Sequence, residues 1–206
     1  MSNEQILEAV RSEVKKRFAN QGAGHGFDHI YRVVVAANKI QAEVGGDPFV
    51  IELAALLHDV GDAKFHDGVE RSGEFSRQIL GDLSLAEEII DHVVHIVDNL
   101  SFRKRETAAA LSIEGQIVQD ADRLDALGAI GIVRTVEYGA VKGQVFFDVN
   151  SPTSPCGVNH FYEKLFKLRD LMNTEIGRRM ARQREQFMHS FLDEFYGEHG
   201  IERPKQ

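Results

Sequence analysis

The chain has 206 residues with 24 basic against 32 acidic side chains and a net charge of −8, a balance that argues against a protein built to coat nucleic acid or an anionic membrane. Its one cysteine, Cys156, excludes an internal disulfide framework and a cysteine-built zinc site. The absence of any run of about 20 apolar residues excludes a membrane-spanning helix.

The length suffices for one domain burying roughly 70% of its unfolded surface, so a metal here would serve chemistry rather than folding. A reducing, cytoplasmic setting is expected, because MSNEQILEAVRSEVKKRF lacks the unbroken apolar core of a secretory signal. Apolar residues recur at helical spacing almost throughout, and alternating β-branched runs are nearly absent. This predicts an all-α, single compact domain over residues 1–206.

The first helix is expected from about Asn3 to Ala19, before the glycine-rich turn QGAGHGF. The second opens near Asp28, with Ile30, Val33, Val34, Ala37, Ile40 and Val44 on its inner face, and stops at Gly45-Gly46. Asp47-Pro48 reads as an N-cap followed by proline at the first helical position. The helix it opens, FVIELAALL, is apolar at nearly every angle and therefore buried on several sides. It ends in His58-Asp59, and an unpaired carboxylate there would be costly. Residues 60–73 are polar and glycine-punctuated, which predicts a loop.

Ser84 and Glu87 form a capping-box pattern opening a helix to about Leu100. On it His92, His95 and Asn99 make a polar stripe, while Ile89, Val93, Ile96 and Leu100 face elsewhere. One long helix is expected from about Ile113 to Ala140, with Gly128 and Gly131 at close packing contacts. A flap or loop covers about 142–158, and two C-terminal helices cover 159–196, divided near Asn173. The metal-site core is expected within about 24–140. In the last helix Met180, Phe187, Phe191, Leu192 and Phe195 suit either packing within the domain or a homodimer seam.

Four polar features stand on separate helices or helix ends: His25 with His29, His58 with Asp59, His92 with His95, and Asp120 with Asp122. Neutral imidazoles and carboxylates together suit manganese, iron, cobalt, nickel or zinc, and less readily magnesium. Spacing alone does not choose between Asp120 and Asp122.

These residues resemble the HD-domain metal-dependent phosphohydrolases, whose pattern is a histidine, a His-Asp doublet and a distant aspartate. The matches are His29 in GFDHIYRV, His58-Asp59 in LLHDVGD and Asp122 in QDADRLDALGAIG. A small bacterial subgroup is matched further through AGHGFDHIYRV, NLSF, IVQDADRLDALGAIG and NHFYEKLFKL, and the resemblance covers roughly residues 24–172. The resemblance implies an all-α HD-domain fold and one divalent ion, manganese by preference, held by His29, His58, Asp59 and Asp122. Asp122 is selected by the ADRL pattern. With the ion, His25, Asp59, Lys64 and His95 are the expected catalytic residues, and His25, Lys64, His92, Asp125 and Lys164 the expected substrate contacts. Asp62 could orient a ligand or water, or be a plain surface acid. A second metal at His92 and His95 would follow some relatives of the family.

The sequence lacks the Glu-Asp pair that marks hydrolases of ppGpp, the Gly-His-x-Pro-Phe block of the large deoxynucleotide triphosphohydrolases, and the GYP block of cyclic-dinucleotide enzymes. The resemblance therefore implies a small nucleotide substrate and no nucleic acid partner: a nucleoside or deoxynucleoside triphosphate cut to monophosphate and pyrophosphate by metal-activated water. Dephosphorylation of a nucleoside monophosphate, a non-catalytic nucleotide sensor and a two-iron oxygenase are the alternatives.

Overall fold

The computed structural model describes residues 1–19, 26–63, 66–100, 108–150 and 154–204. Among these residues it holds nine α-helices, two short 3₁₀ turns and no strand, so the protein is all-α, as its apolar periodicity predicts. The chain forms two compact units, Met1–Asp122 and Arg123–Gln206.

In the first unit, α1 (Asn3–Arg17) opens on a capping box between Ser2 and Gln5. Helix α2 (Phe27–Val44) buries Ile30, Val33, Ala37 and Ile40. Helix α3 (Pro48–Leu57) begins where Asp47 accepts a hydrogen bond from the Phe49 N–H at 2.9 Å. It packs against α1, α2 and α5 (Glu87–Asn99), which explains why it is apolar all round. Leu53, Ala54, Ala55 and Leu57 are wholly inaccessible, and each buried leucine contributes about 1.5–3 kcal/mol. That burial fixes the position of the polar pair at its end.

Two boundaries differ from expectation. Ser84 does not cap α5: it adopts a left-handed conformation with φ 57° and donates its N–H to Gly81 O at 2.8 Å, while the Leu85 N–H donates to Leu80 O. It thus closes the preceding helix, α4 (Ser72–Asp82), and α5 starts after Ala86 with no side-chain cap. Helix α4 itself opens inside the stretch read as loop, because its polar sequence carries little helical signal.

The helix expected over 113–140 is broken into α6 (Ile113–Asp125) and α7 (Gly128–Lys142). Gly128 has φ +74°, a conformation that strains any residue with a Cβ, and Leu127 before it is extended. At the break the Leu124 carbonyl accepts from the Leu127 N–H at 3.0 Å and from Arg184 at 2.5 Å.

The second unit packs α7 against α8 (Gly157–Glu163) and α9 (Glu175–Glu198). The helix expected over 159–172 is α8 followed by 3₁₀ turns at 165–167 and 169–171. Phe161, Leu165, Leu168 and Met172 are all buried, so the apolar rhythm persists through a change of helix type and could not reveal it. In the stretch expected to be a flap, Phe146 meets Phe161, Phe191 and Phe195 edge-on at 6.1, 6.2 and 5.3 Å. The N–H groups of Gly157 and Val158 donate to Val145 O and Phe146 O, so its described part is anchored within the unit.

One half-buried carboxylate links segments of the first unit and carries a pH prediction. Glu114 accepts from the Asp47 N–H at 3.1 Å and lies 3.6 Å from His92. Burial pushes its carboxyl up, but hydrogen bonds from its own N–H, from Asp47 and from Ser112, with the nearby His92, outweigh that and hold it below its ordinary 4.5. The native state then binds fewer protons than the unfolded chain, so this stability is complete above about pH 4.5 and lost as pH falls through the lowered value. The melting-temperature difference between wild type and Glu114→Gln should be largest near neutral pH and shrink on acidification. A pH-independent difference would show that the charge contributes nothing.

Candidate metal centre

The centre is assembled from three helices of the first unit. His29 stands in the first turn of α2 and is 2% exposed. His58 follows directly on α3 and stays in the helical region, and the chain turns on itself there, with Val60 N–H donating to Leu57 O and Asp62 N–H to Asp59 O, both at 3.1 Å. Asp122 lies on α6.

The tautomer of His58 follows from its partner. Its Nδ1 lies 2.8 Å from Ala55 O, which can only accept, so Nδ1 carries a proton and, in the neutral ring, Nε2 presents its lone pair. That Nε2 sits 3.1 Å from His29 Nε2. Asp59 Oδ2 is 3.5 Å from His29 Nε2 and 3.6 Å from His58 Nε2. Asp122 Oδ1 is 3.6 and 3.9 Å from the same two nitrogens.

Neutral imidazole nitrogens and carboxylate oxygens are the donor types a divalent cation takes. Donor atoms held about 2.0–2.2 Å from one ion stand about 3.0–3.6 Å apart, close to the spacings observed. His29, His58 and Asp59 form the one grouping of three or more such residues among those described that could hold a metal, with Asp122 beside both histidines. The donor set therefore fits a divalent ion. Its side chains are graded in exposure: 2% and 4% for the histidines, 26% and 42% for Asp59 and Asp122. The histidines form a dry floor, and the carboxylates border solvent.

The other residues picked out from sequence divide into groups. His25 and Lys64 lie outside the described residues. His92 Nε2 is 2.9 Å from Ser112 Oγ and His95 Nε2 is 3.0 Å from Ala110 O. Asn99 accepts from the Ala109 N–H at 2.7 Å, so the polar stripe of α5 holds the segment 109–112 along the helix. Asp120 is fully buried. Asp125, in the second unit, is buried against Arg134 at 2.5 Å. Lys164 is also in the second unit; burial and the Lys164 charge both pull the pKa of His160 down, Glu163 opposing.

Sequence reasoning missed the groups that hold the His-Asp turn from behind. Ala55 acts through its carbonyl, which no residue type signals. Gly61 makes a close approach to Arg71 and Ser72 across a loop whose path the sequence does not show.

The family model described as HD domain matches residues 26–127. YpgQ of Bacillus subtilis is 38% identical over 188 residues, which cover 90% of this chain and 89% of YpgQ. Among solved structures, an HD-superfamily hydrolase from Bacillus thuringiensis superposes with a TM-score of 0.82 at 40% identity, covering 98% of this chain and 100% of that one. The structure of B. subtilis YpgQ in complex with ADP superposes with a TM-score of 0.80 at 33% identity, covering 96% of this chain and 97% of the other.

Proposed function

Because the chain belongs to the HD-domain family, we propose that it is a divalent-metal-dependent phosphohydrolase that cuts nucleoside or deoxynucleoside triphosphates to the monophosphate and pyrophosphate. The observation that carries this reading is the convergence of His29, His58 and Asp59, joined by Asp122, on one point that is dry on the histidine side and open on the carboxylate side. The complex of the relative YpgQ with ADP supports a nucleotide as the substrate class.

When bound by His29, His58, Asp59 and Asp122, a divalent ion, manganese by preference, would supply a Lewis acid that polarises a phosphoryl oxygen and makes a water acidic enough to attack near pH 7. The protein's own groups prepare that chemistry. Ala55 fixes the His58 ring so that Nε2 points inward. The buried imidazoles keep bulk water from one side, so a polyphosphate enters past Asp59 and Asp122. Their two negative charges repel a bare polyphosphate and make its binding depend on the cation. In the reaction a water oxygen bonds to the α-phosphorus, the bond from that phosphorus to the bridging oxygen breaks, and pyrophosphate leaves. His25 and Lys64 are proposed to contact the phosphates on the strength of their chemistry and the family resemblance.

The test is incubation of metal-stripped protein with manganese, magnesium or no metal and a panel of nucleoside tri- and monophosphates, with products separated by anion exchange. Pyrophosphate and monophosphate formed only with metal are expected. Free phosphate from monophosphates would reassign the enzyme as a nucleotidase, and stoichiometric metal and nucleotide binding without product would make it a sensor.

A further inference from the structure

The turn that presents His58 and Asp59 is clamped on both polar groups of one residue, Gly61. Its carbonyl accepts from the Arg71 N–H at 2.9 Å, and its buried N–H donates to Ser72 Oγ at 3.1 Å. Ser72 is 2% exposed and begins α4. Its own N–H donates to Glu70 at 3.0 Å, and its carbonyl accepts from Ser76 Oγ at 2.7 Å. The N–H and carbonyl of Ser72 are thus bonded within its own segment, and its hydroxyl meets the turn two residues beyond Asp59. Ser72 is the first residue inside α4, after the cap position Arg71, and its hydroxyl accepts from the turn behind the cluster.

We propose that Ser72 is a positioning residue for the metal centre, holding the Asp59 carboxylate in register through Gly61. This rests on the reading of His29, His58, Asp59 and Asp122 as metal ligands. A ligand just beyond the end of a helix is held less firmly than one within it, and Asp59, two residues past α3, is 26% exposed against 4% for His58. The Gly61 clamp removes that freedom. Partners that orient a metal ligand without touching the ion typically change affinity about 10–100-fold when removed.

Three variants separate positioning from plain stability. Ser72→Ala removes the acceptor, Ser72→Thr keeps it, and Ser76→Ala deletes another buried hydrogen bond of the same helix without touching Gly61. Manganese affinity is measured by following the electron paramagnetic resonance of the free ion, well below the melting temperature of each apo-protein. Ser72→Ala should bind manganese about 10–100-fold more weakly, Ser72→Thr should recover most of that loss, and Ser76→Ala should melt earlier with wild-type affinity. Unchanged affinity in a folded Ser72→Ala protein, or an equal loss in Ser76→Ala, would overturn the proposal. Failure of the wild type itself to bind manganese would instead remove the metal reading on which it rests.

Discussion

Replacing Asp59 by alanine should abolish metal binding and turnover while leaving a folded helical protein. The core that supports α3 consists of residues such as Leu53, Ala54 and Leu57, fully inaccessible and untouched by the change. Asp59 is itself partly exposed, and its carboxylate oxygen stands 3.5 and 3.6 Å from the Nε2 atoms of His29 and His58. The helical core therefore survives its loss, and the apo form should stay folded. The loss of metal affinity should exceed about 100-fold, the upper reach for a partner that only orients a ligand. Wild type with manganese at 100 times its dissociation constant gains about 2.7 kcal/mol, or about 5–10 °C in a chain of this size, and Asp59→Ala should show no such shift. A variant that keeps the manganese-dependent shift, or keeps hydrolysing nucleotides, would remove Asp59 from the centre.

Gly61→Ala is expected to damage the same centre from behind. A Cβ on Gly61 would lie 2.5 Å from the Arg71 carbonyl carbon and 2.6 Å from the Ser72 nitrogen. Both are backbone atoms, and the hydrogen bond from Arg71 N–H to Gly61 O holds them in place. Forced overpacking of this kind costs about 1–3 kcal/mol. The turn can relieve it only by moving the segment that carries Asp59, and a misplacement of about 1 Å can lower turnover about 100-fold. Gly81→Ala is the matched comparison: nothing lies within 4 Å of its added methyl, so it should be neutral or slightly stabilising in α4. Thermal melts and steady-state rates on the two variants decide the point. A Gly61→Ala protein as active as Gly81→Ala would show that the loop yields without disturbing the doublet.

The sequence makes the helical class and the core plain, because both depend on local periodicity. The greasy run before His58 already implies a helix enclosed by others, and α1, α2 and α5 enclose it. Boundaries governed by the backbone are harder to read. Ser84 carries the letters of a capping box yet takes φ 57° and ends the helix before it. Gly128 looks like a packing glycine inside a long helix, and its φ of +74° breaks that helix in two. The convergence of His29, His58, Asp59 and Asp122 could be anticipated only through the family pattern, since their spacing along the chain carries no distance. The polar stripe of His92, His95 and Asn99 shows the reverse. Its spacing is plain in the sequence, while its hydrogen bonds go to a neighbouring segment that no periodicity describes.

Crystals grown with manganese and measured on both sides of the manganese absorption edge test the central claim most directly. The account predicts one anomalous peak per chain in the first unit, within about 2.0–2.3 Å of His29 Nε2, His58 Nε2 and carboxylate oxygens of Asp59 and Asp122. A peak coordinated elsewhere, or none at these four residues while the protein binds manganese stoichiometrically in solution, would contradict it.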